Sequence, residues 1–199
     1  MNIENTLNQG IRVLKANRIP NPRLDSEILL SKSINKDKKH IILNSKEILN
    51  RKQLDNFNNF IERRKKGEPI AYLIKKKEFW KDEFYVNNDV LIPRPDTELI
   101  IEQILKIYSK ESQLQVLDIG TGSGCILLSI LKERPNFYGT GIDISKKSIN
   151  VSKFNANKLN LTNRTRFIHS SVDNFKFGKY DLIVSNPPYI KLLNLKYLE

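Results

Sequence analysis

Apolar side chains recur at helical spacing through the first third of the chain. Ile3, Leu7, Ile11 and Leu14 fall three or four residues apart, which puts them on one face of an α-helix. Pro20 and Pro22 interrupt the pattern, and it resumes over 25–33 with Ile28, Leu29 and Leu30. A later helix carries Leu54, Phe57 and Ile61 and ends in Arg63-Arg64-Lys65-Lys66, with Gly67 and Pro69 behind it. Cations in a last turn, a glycine after it and a proline beyond are stop signals. The run therefore reads as a solvated helix end rather than a nucleic-acid motif, and residues 2–66 are expected to be helical.

The period then changes. Glu78-Phe79-Trp80 and Glu83-Phe84-Tyr85-Val86 flank Lys81-Asp82, the pattern of a two-stranded ribbon. Val90-Leu91-Ile92 stops at Pro93, and a helix is expected after Pro95, capped by Asp96 or Thr97. From Gln115 strand and helix alternate: strands over 116–119, 137–142, 166–168 and 181–185, helices over 125–133 and 145–159. Alternation at this spacing means βαβ units and a parallel sheet. The run 181–185 is apolar enough for a buried strand in the middle of such a sheet. Three segments result: a helical domain over 1–67, a linker with a β-hairpin over 68–92, and an α/β domain over 93–199. No apolar run approaches the ~18 residues of a membrane span, and no apolar segment marks a signal peptide at the N-terminus.

Two turns at strand ends carry candidate chemistry. The first strand runs into Gly120-Thr121-Gly122-Ser123-Gly124 and then a helix. Glycines here let the backbone turn sharply and let a ligand approach without a Cβ in the way, while N–H groups opening the helix can bind a polar or anionic group. The third glycine comes one residue too early for a dinucleotide fingerprint, and no Gly-Lys-Ser/Thr of a P-loop follows. Asp143, nineteen residues after Gly124, closes the second strand. An acid there can accept hydrogen bonds from ribose hydroxyls; the alternative is a cap for the helix starting near Ser145. Asp118, just before the turn, can meet a ligand's ammonium. The second turn is Asn186-Pro187-Pro188-Tyr189. Two prolines end the strand stiffly, Asn186 and the proline carbonyls offer acceptors, and Tyr189 offers a flat ring. Such a set can hold a planar NH₂ group.

Charge and composition add less. The formal net charge is +12; residues 1–75 hold 16 Lys/Arg against 8 Asp/Glu, and residues 76–199 hold 18 against 14. A basic surface can draw in nucleic acid or a ribonucleoprotein-associated partner. A chain rich in Lys, Asn and Ile from an AT-rich genome would show the same excess. The single Cys125 makes no internal disulfide and fits a reducing cytosol. His40 and His169 lie far apart and no metal site is expected.

The segments Asp118 to Gly124, Asp143, and Asn186-Pro187-Pro188-Tyr189 resemble S-adenosylmethionine-dependent methyltransferases that act on exocyclic or amide nitrogen. Gly67-Glu68-Pro69-Ile70-Ala71-Tyr72-Leu73 and Leu91 to Glu98 look like the HemK/PrmC branch, and the resemblance covers essentially the whole chain. It implies a Rossmann-like α/β methyltransferase domain preceded by a small helical domain and a hairpin linker. It implies S-adenosylmethionine as cofactor, held by Gly120, Thr121, Gly122, Ser123, Gly124, Asp143, Val172 and Asn186, with no metal. It implies methylation of the glutamine in the Gly-Gly-Gln motif of peptide-chain release factors. Asn186 and Tyr189 are then catalytic, and Asn186, Pro187, Pro188 and Tyr189 bind the substrate amide.

Two departures stand out. The family carries an acid near the end of its third strand to meet the adenine amino group, and Ser171 stands there; backbone near Val172 or a shifted Asp173 is left for the task. The family's sheet also continues past the Asn-Pro-Pro-Tyr turn, so the chain is expected to be a fragment with an incomplete sheet. The helical domain is expected to dock the protein substrate, with the enzyme a cytoplasmic monomer that makes no direct nucleic-acid or membrane contact. The rival readings are a ribosomal-protein glutamine methyltransferase, a nucleic-acid adenine methyltransferase that holds a flipped base, and an inactive fragment that only binds cofactor or partner.

Overall fold

A computed structural model of the chain describes residues 1–187. It divides into two compact units, 1–76 and 77–199. The stretch 68–92, which the sequence reads as a linker, is shared between them.

The first unit is helical: α1 (Ile3–Ala16), α2 (Pro22–Ile34), α3 (Lys38–Leu43), α4 (Arg51–Lys65) and α5 (Ile70–Ile74). Local signals start these helices. The Asn2 side chain accepts from the Asn5 N–H, Asp37 accepts from the His40 N–H, and Asn50 and Gln53 form a reciprocal capping box at the start of α4. The buried stripe of α1 is Ile3, Thr6, Gly10 and Leu14, with Leu7 and Ile11 at its edges. Gly10 explains the shift, because a Cβ there would stand 2.6 Å from Phe57 Cζ. The helices approach where no side chain fits between them. Leu73 of α5 lies in this core with Leu29, Leu30 and Ile61.

Arg64 corrects the reading of the cationic run. Its guanidinium is largely buried and donates to Asp25 Oδ2 at 2.7 Å and to the Glu68 carbonyl at 3.0 Å. Arg63 pairs with Glu68. The helix end is thus tied into the unit by two arginines.

The second unit opens with an antiparallel ribbon, β1 (Lys77–Phe79) and β2 (Asp82–Phe84). The turn falls on Trp80-Lys81, one residue earlier than the pattern suggests, and Trp80 takes a left-handed conformation at φ 55°. Two carboxylates secure it: Glu98 Oε1 accepts from the Trp80 N–H and Glu133 Oε1 from the indole Nε1–H, both at 2.8 Å. Phe79 and Phe84 meet edge to face and are fully buried in this unit's core. A 3-10 turn (Pro95–Thr97) leads into α6 (Glu98–Ile107), and no side chain caps that helix. Neither Asp96 nor Thr97 plays the capping part.

Then follow β3 (Gln115–Ile119), α7 (Cys125–Glu133), β4 (Tyr138–Asp143), α8 (Lys146–Lys158), β5 (Thr165–His169) and β6 (Leu182–Ser185). The sheet is parallel with strand order β5-β4-β3-β6. This is a Rossmann-like arrangement: the chain winds outward from β3 through β4 to β5, then returns to the other side of β3. The expected buried strand 181–185 is only part buried. Val184 is enclosed, while Ile183, on the opposite face by alternation, is 59% exposed.

Candidate active site

The strand register brings the candidate residues together. Ile119 pairs with Ile142 on one side and Ser185 on the other, so β3, β4 and β6 end level. Gly120 and Asn186 leave the sheet just past this level, and Asp143, the last residue of β4 and paired with His169 of β5, stands beside them along one edge. This edge lies where the strand order reverses, the place at which open α/β sheets bind ligands. The Ile142 carbonyl accepts from the N–H groups of Gly120 and Thr121, and Ser185 Oγ donates to the Ile119 carbonyl, so all three strand ends are tied.

A cavity of about 400 Å³ opens at this edge. Gly120, Thr121, Gly122 and Ser123 line it, as do Asp143 and Asn186. Gly120 sits at φ 72°, and a Cβ added to it would meet nothing within 4 Å. The backbone is thus bare where it faces the cavity. Gly124, at φ 80°, does not line it. A Cβ there would stand 3.1 Å from Leu128 Cδ1 and 3.2 Å from Ser152 Cβ, so this glycine serves the packing of the turn on its helices.

Asp143 is held at both oxygens: Oδ2 accepts from the Gly122 N–H at 3.0 Å and Oδ1 from the Ser145 N–H at 2.8 Å. Ser145, not Asp143, caps α8, by accepting from the Ser148 N–H. A carboxylate has about four acceptor sites, so two remain for a diol. A bare glycine turn beside such a carboxylate fits a ribose and its substituents. At the far side, Ser170 and Val172 line the cavity. Ser171 and Asp173 do not, and Ser171 Oγ instead accepts from the Asn174 N–H. Of the two suggestions for the base, the structure brings Val172 to the cavity and leaves Asp173 away from it.

Asp118 is not on the cavity wall. It lies buried beneath the glycine turn, where Oδ2 accepts from Thr121 Oγ1 at 2.7 Å and Oδ1 has no hydrogen-bond partner among the described residues. Burial pushes its carboxyl up to about 6, against the Thr121 hydrogen bond, which favours the charged form. The thiol of Cys125, which does line the cavity, is pushed up to about 12 by burial, which favours its protonated form.

Sequence reasoning missed a second wall. Asp89, Val90, Leu91 and Ile92 line the cavity although they fall in the presumed linker, and Pro93, Thr97 and Ser148 join them. The signals were an apolar run halted by Pro93 just before a helix and the Leu91-to-Glu98 segment that carries the family resemblance. Thr97 Oγ1 accepts from Asn186 Nδ2 at 2.8 Å. Pro187 is exposed and is not among the lining residues, while Pro188 and Tyr189 lie outside the described residues.

Comparison with known proteins gives the family. The sequence model of the PrmC N-terminal domain matches residues 5–74, and that of the methyltransferase small domain matches residues 95–197. A release factor glutamine methyltransferase of Buchnera aphidicola subsp. Acyrthosiphon pisum is 40% identical over 200 residues, covering 100% of this chain and 70% of that protein. The same enzyme of the subspecies Schizaphis graminum is 41% identical, covering 100% and 71%. A bifunctional methyltransferase of Rickettsia bellii is 41% identical over 96% of this chain, which spans 39% of that protein. Among solved structures, a ribosomal protein L11 methylase of Lactobacillus delbrueckii subsp. bulgaricus overlaps 47% of this chain and 47% of its own, at 28% identity and a TM-score of 0.41. With both domain models matched in order and relatives near 40% identity along its whole length, the chain belongs to the release factor glutamine methyltransferase family.

Proposed function

We propose that this chain binds S-adenosylmethionine at the sheet edge and methylates the side-chain amide nitrogen of the Gly-Gly-Gln glutamine in peptide-chain release factors. The observation that carries this is the convergence of Gly120, Asp143 and Asn186 on one cavity from three adjacent strand ends. When bound, the cofactor supplies an electrophilic methyl group on a sulfonium. Asp143 takes the ribose hydroxyls with its two remaining acceptor sites. The bare backbone from Gly120 to Gly122 lets the cofactor lie close, and Val172 flanks the base.

An amide nitrogen is a poor nucleophile because its lone pair is delocalised into the carbonyl. Positioning answers this, and aligned reactants can contribute ~7–11 kcal/mol. Asn186 Oδ1 and the Pro187 carbonyl accept the two amide hydrogens, which aims the lone pair along the line of transfer. Pro188 and Tyr189 complete the substrate-binding set, on their residue types alone. The same acceptors favour the positive charge that grows on nitrogen before one proton leaves, so they bind the transition state better than the ground state. The helical unit docks the protein substrate, and the chain works as a cytoplasmic monomer without direct nucleic-acid contact.

Calorimetry with S-adenosylmethionine tests the cofactor half. Asp143→Ala should weaken binding by at least about tenfold, the worth of one hydrogen bond to a charged acceptor; NADH binding as tightly would sink the reading. For the substrate half, label from methyl-tritiated cofactor should enter a release factor and vanish when its Gly-Gly-Gln glutamine is replaced. Equal labelling of duplex DNA would count for adenine methylation instead.

A further inference from the structure

Asn186 has an orientation problem that its own residue type cannot solve. The terminal torsion of an asparagine is broad and nearly two-fold, and a flip exchanges its carbonyl for its NH₂. Only the carbonyl can accept a hydrogen from a substrate amide. We propose that Thr97 is the positioning residue that holds the Asn186 amide plane: a hydroxyl can donate or accept, so it fixes the plane, and in the arrangement observed Nδ2 lies on the hydroxyl and Oδ1 is left for the substrate. The inference rests on the methyl-transfer reading for its consequence, though not for the contact itself.

Several observations converge on Thr97. It is 7% exposed and still lines the cavity beside Asn186. It closes the 3-10 turn Pro95–Thr97, whose start is stiffened by Pro95, and its N–H donates to the Arg94 carbonyl. It stands at the N-terminus of α6 without capping it, which leaves the hydroxyl available. The Nδ2 of Asn186 then reaches it at 2.8 Å from 89 positions away in sequence. Beneath Asn186, the bond from Ser185 Oγ to the Ile119 carbonyl holds the end of β6. The amide is therefore gripped at its tip by a rigid turn and at its base by the sheet, which is what tolerance in a catalytic amide requires.

Two variants separate this from a packing role. Thr97→Val keeps the shape and removes the hydroxyl; Thr97→Ser keeps the hydroxyl and removes a methyl. In ¹⁵N-labelled chain without cofactor, the side-chain amide signals of Asn186 should move and exchange their protons faster in Thr97→Val, and stay close to the parent in Thr97→Ser. With S-adenosylmethionine and a release factor, Thr97→Val should lower kcat roughly three- to tenfold, the range expected for one hydrogen bond. Thr97→Ser should recover most of that, and cofactor affinity should stay within about twofold in both. In an Asn186→Ala background Thr97→Val should cost nothing further, because the hydroxyl would have nothing left to hold. Asn186 signals unmoved by Thr97→Val overturn the inference. So does an equal loss of kcat in the Asn186→Ala background. Absence of transfer by the unsubstituted chain would count against the methyl-transfer reading alone, since the amide signals decide the contact.

Discussion

Asn155 should be among the most costly polar side chains to truncate in the second unit. It lies fully buried on α8, and its amide makes three hydrogen bonds to backbone. Oδ1 accepts from the Tyr85 N–H at 2.8 Å, while Nδ2 donates to the Tyr85 carbonyl at 3.0 Å and the Ser123 carbonyl at 2.9 Å. One side chain thus ties the exit of the ribbon, the glycine turn and α8 together. Each bond is worth about 1 kcal/mol net, so Asn155→Ala should lose about 3 kcal/mol. The better helix propensity of alanine returns only about 0.6 kcal/mol, and backbone groups left without partners in the interior take that back. Against a total of roughly 5–15 kcal/mol for a domain, this is a large fraction. Urea unfolding followed by circular dichroism should show a lower midpoint with an unchanged slope. The exposed Asn150→Ala on the same helix is the control and should stay within about 0.5 kcal/mol. Asn155→Asp should be no milder than alanine, because it keeps the acceptor for Tyr85 but turns an oxygen toward two carbonyls. A loss under about 1 kcal/mol for alanine, or a mild effect from aspartate, would refute the claim that this amide is the tie.

Two further outcomes follow from buried charge. Arg64→Met should destabilise the helical unit by about 3–5 kcal/mol, since it strands the Asp25 carboxylate in a buried place, whereas the double change Arg64→Met with Asp25→Leu should recover most of the loss; equal melting curves for single and double variants would contradict this. Asp118 should give stability an inverted pH dependence. Its carboxyl is raised from 3.8 to about 6 in the folded chain, so between these values the folded form keeps a proton that the unfolded form has lost. That contribution is fully present below about pH 4 and falls away as pH rises through 6, on the order of 3 kcal/mol in all. The difference between parent and Asp118→Asn unfolding energies, measured from pH 4 to 7.5, should carry this slope; a flat difference would show that the carboxyl is not desolvated as its burial implies.

The sequence by itself determined most of the elements and the two loops proposed to carry the chemistry. Helix 125–133 was legible because an apolar run follows a glycine turn, and Asp143 because a strand end nineteen residues after Gly124 is a local spacing. Capping and period act over a few residues, so they survive in a one-dimensional reading. What lies across the sheet does not. Trp80 takes its left-handed turn because Glu98 and Glu133 wait for its two N–H groups, and the ribbon joins the second unit because Phe79 and Phe84 find their burial there. The wall from Asp89 to Ile92 looked like a linker for the same reason: its apolar run has no period, and only the fold says what it faces. Thr97 read as one of two candidate helix caps and nothing in the helical pattern singled out Asn155, since their partners stand 89 and up to 70 residues away. Strand order and register set those meetings, and neither is written in the local pattern that makes each strand.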